Sequence, residues 1–407
     1  MARTVLTGGN VLDPRTGTST AGSVAFDGTK ITDVGDVATR PDDLVIDVSG
    51  SWILPGLINS HAHLGWDGVH GLQMQAEWPT EVQSYTYAMN IARTLSAGVT
   101  TVRDLGMVTS NVFGKKMIED GRAPYLRLLI NGKAISTTGG HTWYCCREAD
   151  GVDDCRKAIR EQVKAGATWI KIMACHDHDQ FTQAELDAMV DEAHMAGIKV
   201  TAHATMDSAI RRVVEAGVDC VEHGGTMSDS TIELMLKRNV WVVTTLGPMF
   251  LQIERGLENG LPQEVIDRRI RQVNDPGRFT DTQKAIQAGV GHAFGTDAGS
   301  PVVPHDEIVG ELKAIVTLGM VPDNADAIRS ATVRGAKLLG LDDQLGTLEV
   351  GKTADVVVVG GDPVADLENL RKIQRVYVRG DLAIHDGLHT WPRAGVQVPL
   401  KLPSVVA

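Results

Sequence analysis

WILPGLINSHAHL, residues 52–64, is an apolar run that ends in two histidines separated by one alanine. On a strand, alternate side chains point to opposite faces, so His61 and His63 share a face while Ala62 turns away. Two imidazoles on one face can converge on a metal ion. An H-x-H pair alone is weak evidence, however, and the remaining ligands must come from elsewhere in the chain.

Outward from this stretch, apolar runs alternate with amphipathic helical segments such as VDDCRKAIREQVKAG and TQAELDAMVDEAHMAG, the pattern of parallel β/α units. Eight strand-like runs follow in order: INSHAHL, GVTTVRDLG, RLLINGKAIS, TWIKIMAC, KVTAHAT, CVEHGG, WVVTTL and GHAFGTDAG. Eight such units predict an α/β fold, a (β/α)8 TIM barrel whose active site lies at the carboxyl ends of the strands. Polar residues stand there on otherwise apolar strands. His61 and His63 close the first, Lys171 sits within the fourth, His203 closes the fifth, His223 the sixth and Asp297 the eighth. Such a barrel would bring all of them to one mouth.

The two ends of the chain have a different texture. Short apolar runs broken by Gly and Asp turns, from about Thr4 to Val48 and again in GTLEVGKTADVVVVGGDP and IQRVYVRGDLAIHDG, read as small antiparallel strands. The predicted organisation is one part of a small β-sandwich in 1–56, the barrel in 57–344, and the second part of the sandwich in 345–407.

A chain of 407 residues, 43% hydrophobic, can bury a large core. A formal charge of -12 with no basic run argues against nucleic acid as a partner. No stretch is apolar for long enough to span a bilayer, so membrane insertion is not expected. MARTVLTGGNVLD contains no apolar signal core, which leads us to expect a cytoplasmic protein. Cys145, Cys146, Cys155, Cys175 and Cys220 form no C-x-x-C pair and read as reduced thiols. The expected partner is a small-molecule substrate.

Taken together, PGLINSHAHL, GVTTVRD, TGGHT around His141, IKIM around Lys171, VTAHA, VEHGG, GTDAG and GTLEVGKTADVVV resemble the amidohydrolase superfamily. The similarity is to the branch of imidazolonepropionase-like proteins and Xaa-Pro and Xaa-Arg dipeptidases. It implies a binuclear metal centre, usually of Zn2+. His61, His63 and Asp297 would hold one ion, His203 and His223 the other, and a carboxylated Lys171 would bridge them. An ammonium has no lone pair to donate, whereas a carbamate is an anionic bridge with two oxygens. Two ions about 3.5–4 Å apart bring the pKa of a shared water toward roughly 7 and so supply a bridging hydroxide. Asp297 would accept its proton and pass it to the departing nitrogen.

The implied reaction is hydrolysis of a carbon–nitrogen bond in an amide, dipeptide, carbamate or urea-like substrate. The alternative is a mononuclear deaminase or cyclic amide hydrolase of the imidazolonepropionase kind, against which Lys171 speaks. A non-catalytic scaffold would have no reason to keep six ligands. Homo-oligomers are common among such proteins.

For substrate contacts, His141 matches a family position near the scissile carbonyl. Tyr144 can form an aromatic wall. His176 and His178 lie in CHDHDQ, where many relatives have a glycine-rich turn. Arg147 reads either as a carboxylate clamp or as a local ion pair. Met227 stands where some dipeptidases place a tyrosine against the substrate carboxylate. Trp66, Trp78, Trp143 and Phe250 predict a roomy apolar pocket. Arg103 and Asp104 read as a structural pair, and His292 and Thr296 either as partners of Asp297 or as core residues.

Overall fold

The amino-terminal strands β1 (Thr4–Asp13), β2 (Thr18–Asp27) and β3 (Lys30–Gly35) form an antiparallel meander. β4 (Leu44–Asp47) and β5 (Trp52–Pro55) both join β1 in parallel, contrary to the all-antiparallel expectation. The cause is the connection. Residues 36–43 carry the chain back across the sheet instead of closing a tight hairpin, so β4 runs alongside β1. β5 then passes through Gly56, where an added Cβ would lie 2.1 Å from Thr100 Oγ1, and only a glycine allows so close an approach.

Beyond Gly56 the strands become parallel in this computed structural model, which describes residues 2–106, 108 and 110–390. β6 (Leu57–Ala62), β7 (Val99–Asp104) and β8 (Arg127–Ile130) form a three-stranded sheet. A seven-stranded sheet contains β9 (Ile135–Ser136), β10 (Arg147–Glu148), β11 (Trp169–Met173), β12 (Lys199–His203), β13 (Cys220–Glu222), β14 (Trp241–Thr244) and β15 (His292–Phe294). The predicted third strand, RLLINGKAIS, is split into β8 and β9. Asn131-Gly132 turns the chain between them, Gly132 at φ 69.

Ten of the helices suffice to describe what surrounds the site: α1 (Thr80–Ser96), α2 (Ser110–Glu119), α3 (Val152–Ala165), α4 (Gln183–Met195), α5 (Asp207–Ala216), α6 (Asp229–Arg238), α7 (Gly247–Arg255), α8 (Gln263–Val273), α9 (Pro276–Gln287) and α10 (Val309–Thr317). Each of α3 to α6 buries one stripe, as Cys155, Ala158, Ile159 and Gln162 do on α3, and these stripes pack on strands that are themselves buried. α7, α8 and α9 all lie between β14 and β15, the longest connection between successive parallel strands.

Hydrogen bonds also run between the two parallel sheets. Thr168 N donates to Ile130 O at 2.7 Å, beside β8, and Thr296 N and Asp297 N donate to His61 O at 3.1 and 2.9 Å. At the second junction a Cβ on Gly295 would meet Val243 Cγ1 at 2.5 Å and His61 Cβ at 2.7 Å, so glycine lets the end of β15 lie against β6.

Finally β16 (Val356–Val359), β17 (Ile373–Val378), β18 (Asp381–His385) and β19 (Leu388–His389) return to the amino-terminal sheet, with β16 antiparallel to β5. The strands of both chain ends thus share one sheet. The last part of the predicted 345–407 segment, 391–407, lies outside the described residues. No helix among the described residues is long and apolar enough to cross a membrane.

Candidate metal centre

His61 lies in the last turn of β6 and His63 just beyond it, while Asp297 follows β15. The register of the two strands places the three together. Asp297 Oδ1 is 3.2 Å from His61 Nε2 and 3.0 Å from His63 Nε2, and one ligand atom from each residue falls within 4.8 Å of the others. His203 ends β12 and His223 follows β13. Their ring centroids are 4.5 Å apart, and His223 is 4.9 Å from His61. Lys171, at the middle of β11 and 1% exposed, faces the same cavity of about 510 Å³. His223 and Asp297 both hold positive φ, 76° and 55°, a conformation that side chains other than glycine adopt at a cost of order 1–3 kcal/mol.

A buried polar network orients these groups. His61 Nδ1 donates to Glu222 Oε2 at 2.6 Å, which leaves its Nε2 aimed at Asp297. Arg103 Nη2 donates to Glu222 Oε1 at 2.6 Å, and the Thr201 hydroxyl also reaches that oxygen. Arg103 therefore pairs with Glu222 and not with Asp104, its neighbour in sequence. Asp104 instead accepts from Tyr87 Oη at 2.8 Å and from Gly106 N at 2.9 Å. His223 Nδ1 lies 2.6 Å from Thr245 Oγ1.

Of the two readings of Thr296 and His292, the structure shows the core one, both being buried and bonded elsewhere than to Asp297. Thr296 Oγ1 accepts from Asn59 Nδ2 at 2.8 Å, and His292 Nε2 lies 2.9 Å from Thr244 Oγ1. Glu222 escaped notice in the sequence because it stands beside a conspicuous histidine. The available signal was an acidic residue on the short apolar strand CVE.

Burial holds His63, His203 and His223 below the usual histidine range, so each keeps a free lone pair at neutral pH. Burial also lowers Lys171 from the ordinary lysine value, although Glu222 and Asp297 pull the other way. For Asp297 burial would raise the carboxyl, but the adjacent His61 and His63 outweigh it and hold it well below the carboxylate range. Glu222 is likewise kept ionised against burial by Arg103 and His61.

Around this floor stands a rim. The His141 ring packs 4.5 Å from His203 and 4.8 Å from His176, and burial pushes its pKa down to about 3. Tyr144, His176 and His178 line the cavity. Arg147 does not reach it. Its guanidinium is held by Asp154 at 2.7 Å and Glu161 at 2.9 Å, the local pairing of the two readings above.

The predicted apolar wall is only partly present. Trp66 and Trp143 line the cavity, whereas Trp78, Phe250 and the buried Met227 do not. In their place α8 and α9 bring Arg268, Arg269 and Arg278. Nothing in QEVIDRRIRQV distinguishes Arg268 and Arg269 from a solvated helix face, nor does anything in PGRFTDTQKAIQ mark Arg278.

Comparison with known proteins adds three relatives and a family. The pattern of the amidohydrolase family matches residues 52–383. A solved prolidase complexed with N-methylphosphonate-L-proline is 31% identical, with a TM-score of 0.86 over 94% of this chain and 100% of its own. A solved Xaa-Pro dipeptidase with methionine bound in its active site is 29% identical, with a TM-score of 0.84 over 94% of this chain and 99% of its own. Ochratoxinase of Aspergillus niger is 27% identical over 83% of this chain and 77% of its own length.

Proposed function

The chain belongs to the amidohydrolase family, and on that footing we propose that it is a metal-dependent hydrolase of amide bonds with two metal ions in its centre. The observation that carries the proposal is the meeting of His61, His63, Lys171, His203, His223 and Asp297 in one cavity, from the ends or middles of separate strands. We read the two parallel sheets as a single barrel of eight strands, counting β8 and β9 as one interrupted strand and leaving aside the two-residue β10, with those residues at its mouth.

The donor set fits the metals. Neutral imidazoles and an ionised carboxylate are the ligands zinc takes, and Lys171 is buried without an ion pair among the described residues. As a neutral amine Lys171 can add carbon dioxide and release a proton, forming a carbamate that turns a misplaced cation into an anionic bridge. His61, His63 and Asp297 would hold one ion, His203 and His223 the other, and Lys171 both. A mononuclear deaminase would leave the buried Lys171 without a role.

When bound, the metals supply Lewis acidity toward a water and an amide carbonyl. The remaining work falls to the protein. Asp297, ionised and facing the cavity, takes the water's proton and delivers it to the departing nitrogen. Glu222 fixes the orientation of the His61 ring, and Thr245 that of His223. His141, neutral, stacked on His176 and tilted against His203, is placed to donate a hydrogen bond to the carbonyl oxygen as negative charge develops there.

The test is a panel of N-acyl amino acids and dipeptides assayed for release of the amino acid. Hydrolysis should vanish on chelation and return with zinc. Ammonia release from amino-heterocycles, with every amide left intact, would overturn the proposal in favour of the mononuclear reading.

A further inference from the structure

Three guanidinium groups share the rim, and none has a carboxylate within 4.0 Å among the described residues. In a chain with 51 acidic against 39 basic residues this is unexpected, and arginines elsewhere, such as Arg3, Arg147 and Arg156, do have acidic partners. The rim arginines have neutral ones. Arg269 Nε donates to Gln252 Oε1 and its Nη1 to Gln272 Oε1, both at 2.8 Å, and Gln252 is itself anchored through Nε2 to Pro301 O at 2.9 Å. Arg278 Nε reaches only Met249 Sδ, at 3.3 Å. Arg268 Nη1 lies 3.3 Å from His176 Nε2, and its buried Nε has no hydrogen-bond partner.

Amide oxygens and a thioether orient a guanidinium without cancelling its charge. The result is a preorganised, uncompensated cluster. Burial and the neighbouring Arg268 together lower Arg269 to about 10, still cationic at neutral pH but crowded by like charge. Arg268, Arg269 and Arg278 line the same cavity as Asp297 and His141, so the cluster faces the reacting groups.

We propose that Arg268, Arg269 and Arg278 bind the anionic end of the substrate, and that the bond cleaved joins an acyl group to aspartate or glutamate. A single carboxylate would neutralise one guanidinium and leave two crowded together, whereas a dicarboxylate engages them in paired, bidentate contacts. We assign the acidic amino acid to the amine side of the bond, where Asp297 would protonate the departing nitrogen, and release of free aspartate or glutamate in the assay checks that assignment. This inference rests on the hydrolase reading above and names the substrate class for the same site.

Two measurements on the metal-loaded protein separate the inference from that reading. In the first, kcat/KM is compared for N-acyl glutamate and aspartate against the glutamine and asparagine analogues. The acidic substrates should be favoured at least about tenfold, and Arg269→Gln should reduce that ratio by about tenfold, mainly through KM. In the second, calorimetry follows binding of glutarate, with butyramide as the neutral control. Glutarate should bind more tightly, and Arg269→Gln should weaken it by about tenfold.

Arg268→Gln provides an independent variant should Arg269→Gln fail to fold. Equal cleavage of neutral and acidic substrates, or glutarate binding indifferent to both substitutions, would overturn the inference. If no amide is cleaved yet glutarate binds in an arginine-dependent way, the hydrolase reading fails and the anion site stands. N-acyl amino acids whose only carboxylate is the α-carboxylate complete the panel, and their cleavage at rates equal to the acidic substrates would overturn the dicarboxylate assignment.

Discussion

At the floor of the cavity, Lys171 and His203 are held by the ladder of β11 and β12, His61 by its carbonyl accepting from Thr296 N and Asp297 N, and His223 by its N–H donating to Val243 O. At the rim, Arg268, Arg269 and Arg278 ride on α8 and α9, inside the long excursion between β14 and β15. The floor is locked by a fully buried ionic network through Glu222 and Arg103, whereas the rim is held by neutral acceptors that leave its charge unspent. A rigid sheet fixes groups to within the tolerance that bond-making chemistry demands, and helices on an inserted loop can be exchanged without disturbing it. Substitutions in the floor should therefore move kcat or metal affinity, and substitutions in the rim KM and selectivity.

The largest effect is expected from Asp297→Asn. Steady-state kinetics should show kcat lower by about a hundred- to ten-thousand-fold, the usual worth of a positioned general acid–base, while metal analysis still finds bound ion. Near-native turnover would remove proton transfer from the floor's duties. Next comes Glu222→Gln, which leaves one amide oxygen where His61 and Arg103 each had a carboxylate oxygen, and leaves Arg103 buried without a countercharge. Metal competition should report affinity weaker by about 10–100-fold, and equilibrium denaturation a stability loss of about 3–5 kcal/mol. If both stay unchanged, the network does not support the floor, and the contrast with the rim collapses.

Arg269→Gln sharpens the same contrast from the other side, since its tenfold effect should appear in KM for acidic substrates. A fall in kcat alone would assign the rim to chemistry. The smallest effect is that of Arg147→Ala. Its partners Asp154 and Glu161 are 38% and 41% exposed, so urea denaturation should register no more than about 1 kcal/mol, and KM should not move.

The same division governs what the sequence reveals. A histidine, lysine or aspartate at the end of an apolar strand is conspicuous because the strand's period assigns it a face, and the eight parallel runs could be counted from that period. The exception is instructive. Arg103 and Asp104 look like a pair because they are neighbours, yet adjacent strand residues point to opposite faces, and Arg103 finds Glu222, 119 residues away. The break between β8 and β9 was also written in Asn131-Gly132, which a reading for apolar runs passes over.

The rim is a different case. QEVIDRRIRQV has an ordinary amphipathic pattern, and only the tertiary path of the excursion decides that two of its arginines turn inward. Aromatic residues suffer the converse ambiguity. Phe250 stacks on Phe279 with centroids 6.1 Å apart, away from the cavity it was expected to line.

The central claim is that Lys171 bridges two metal ions, and the most direct measurement is metal content per chain, by elemental analysis of the purified protein beside Lys171→Ala. The account predicts two equivalents in the native protein, falling toward one or none in the variant. One equivalent in both proteins would contradict it.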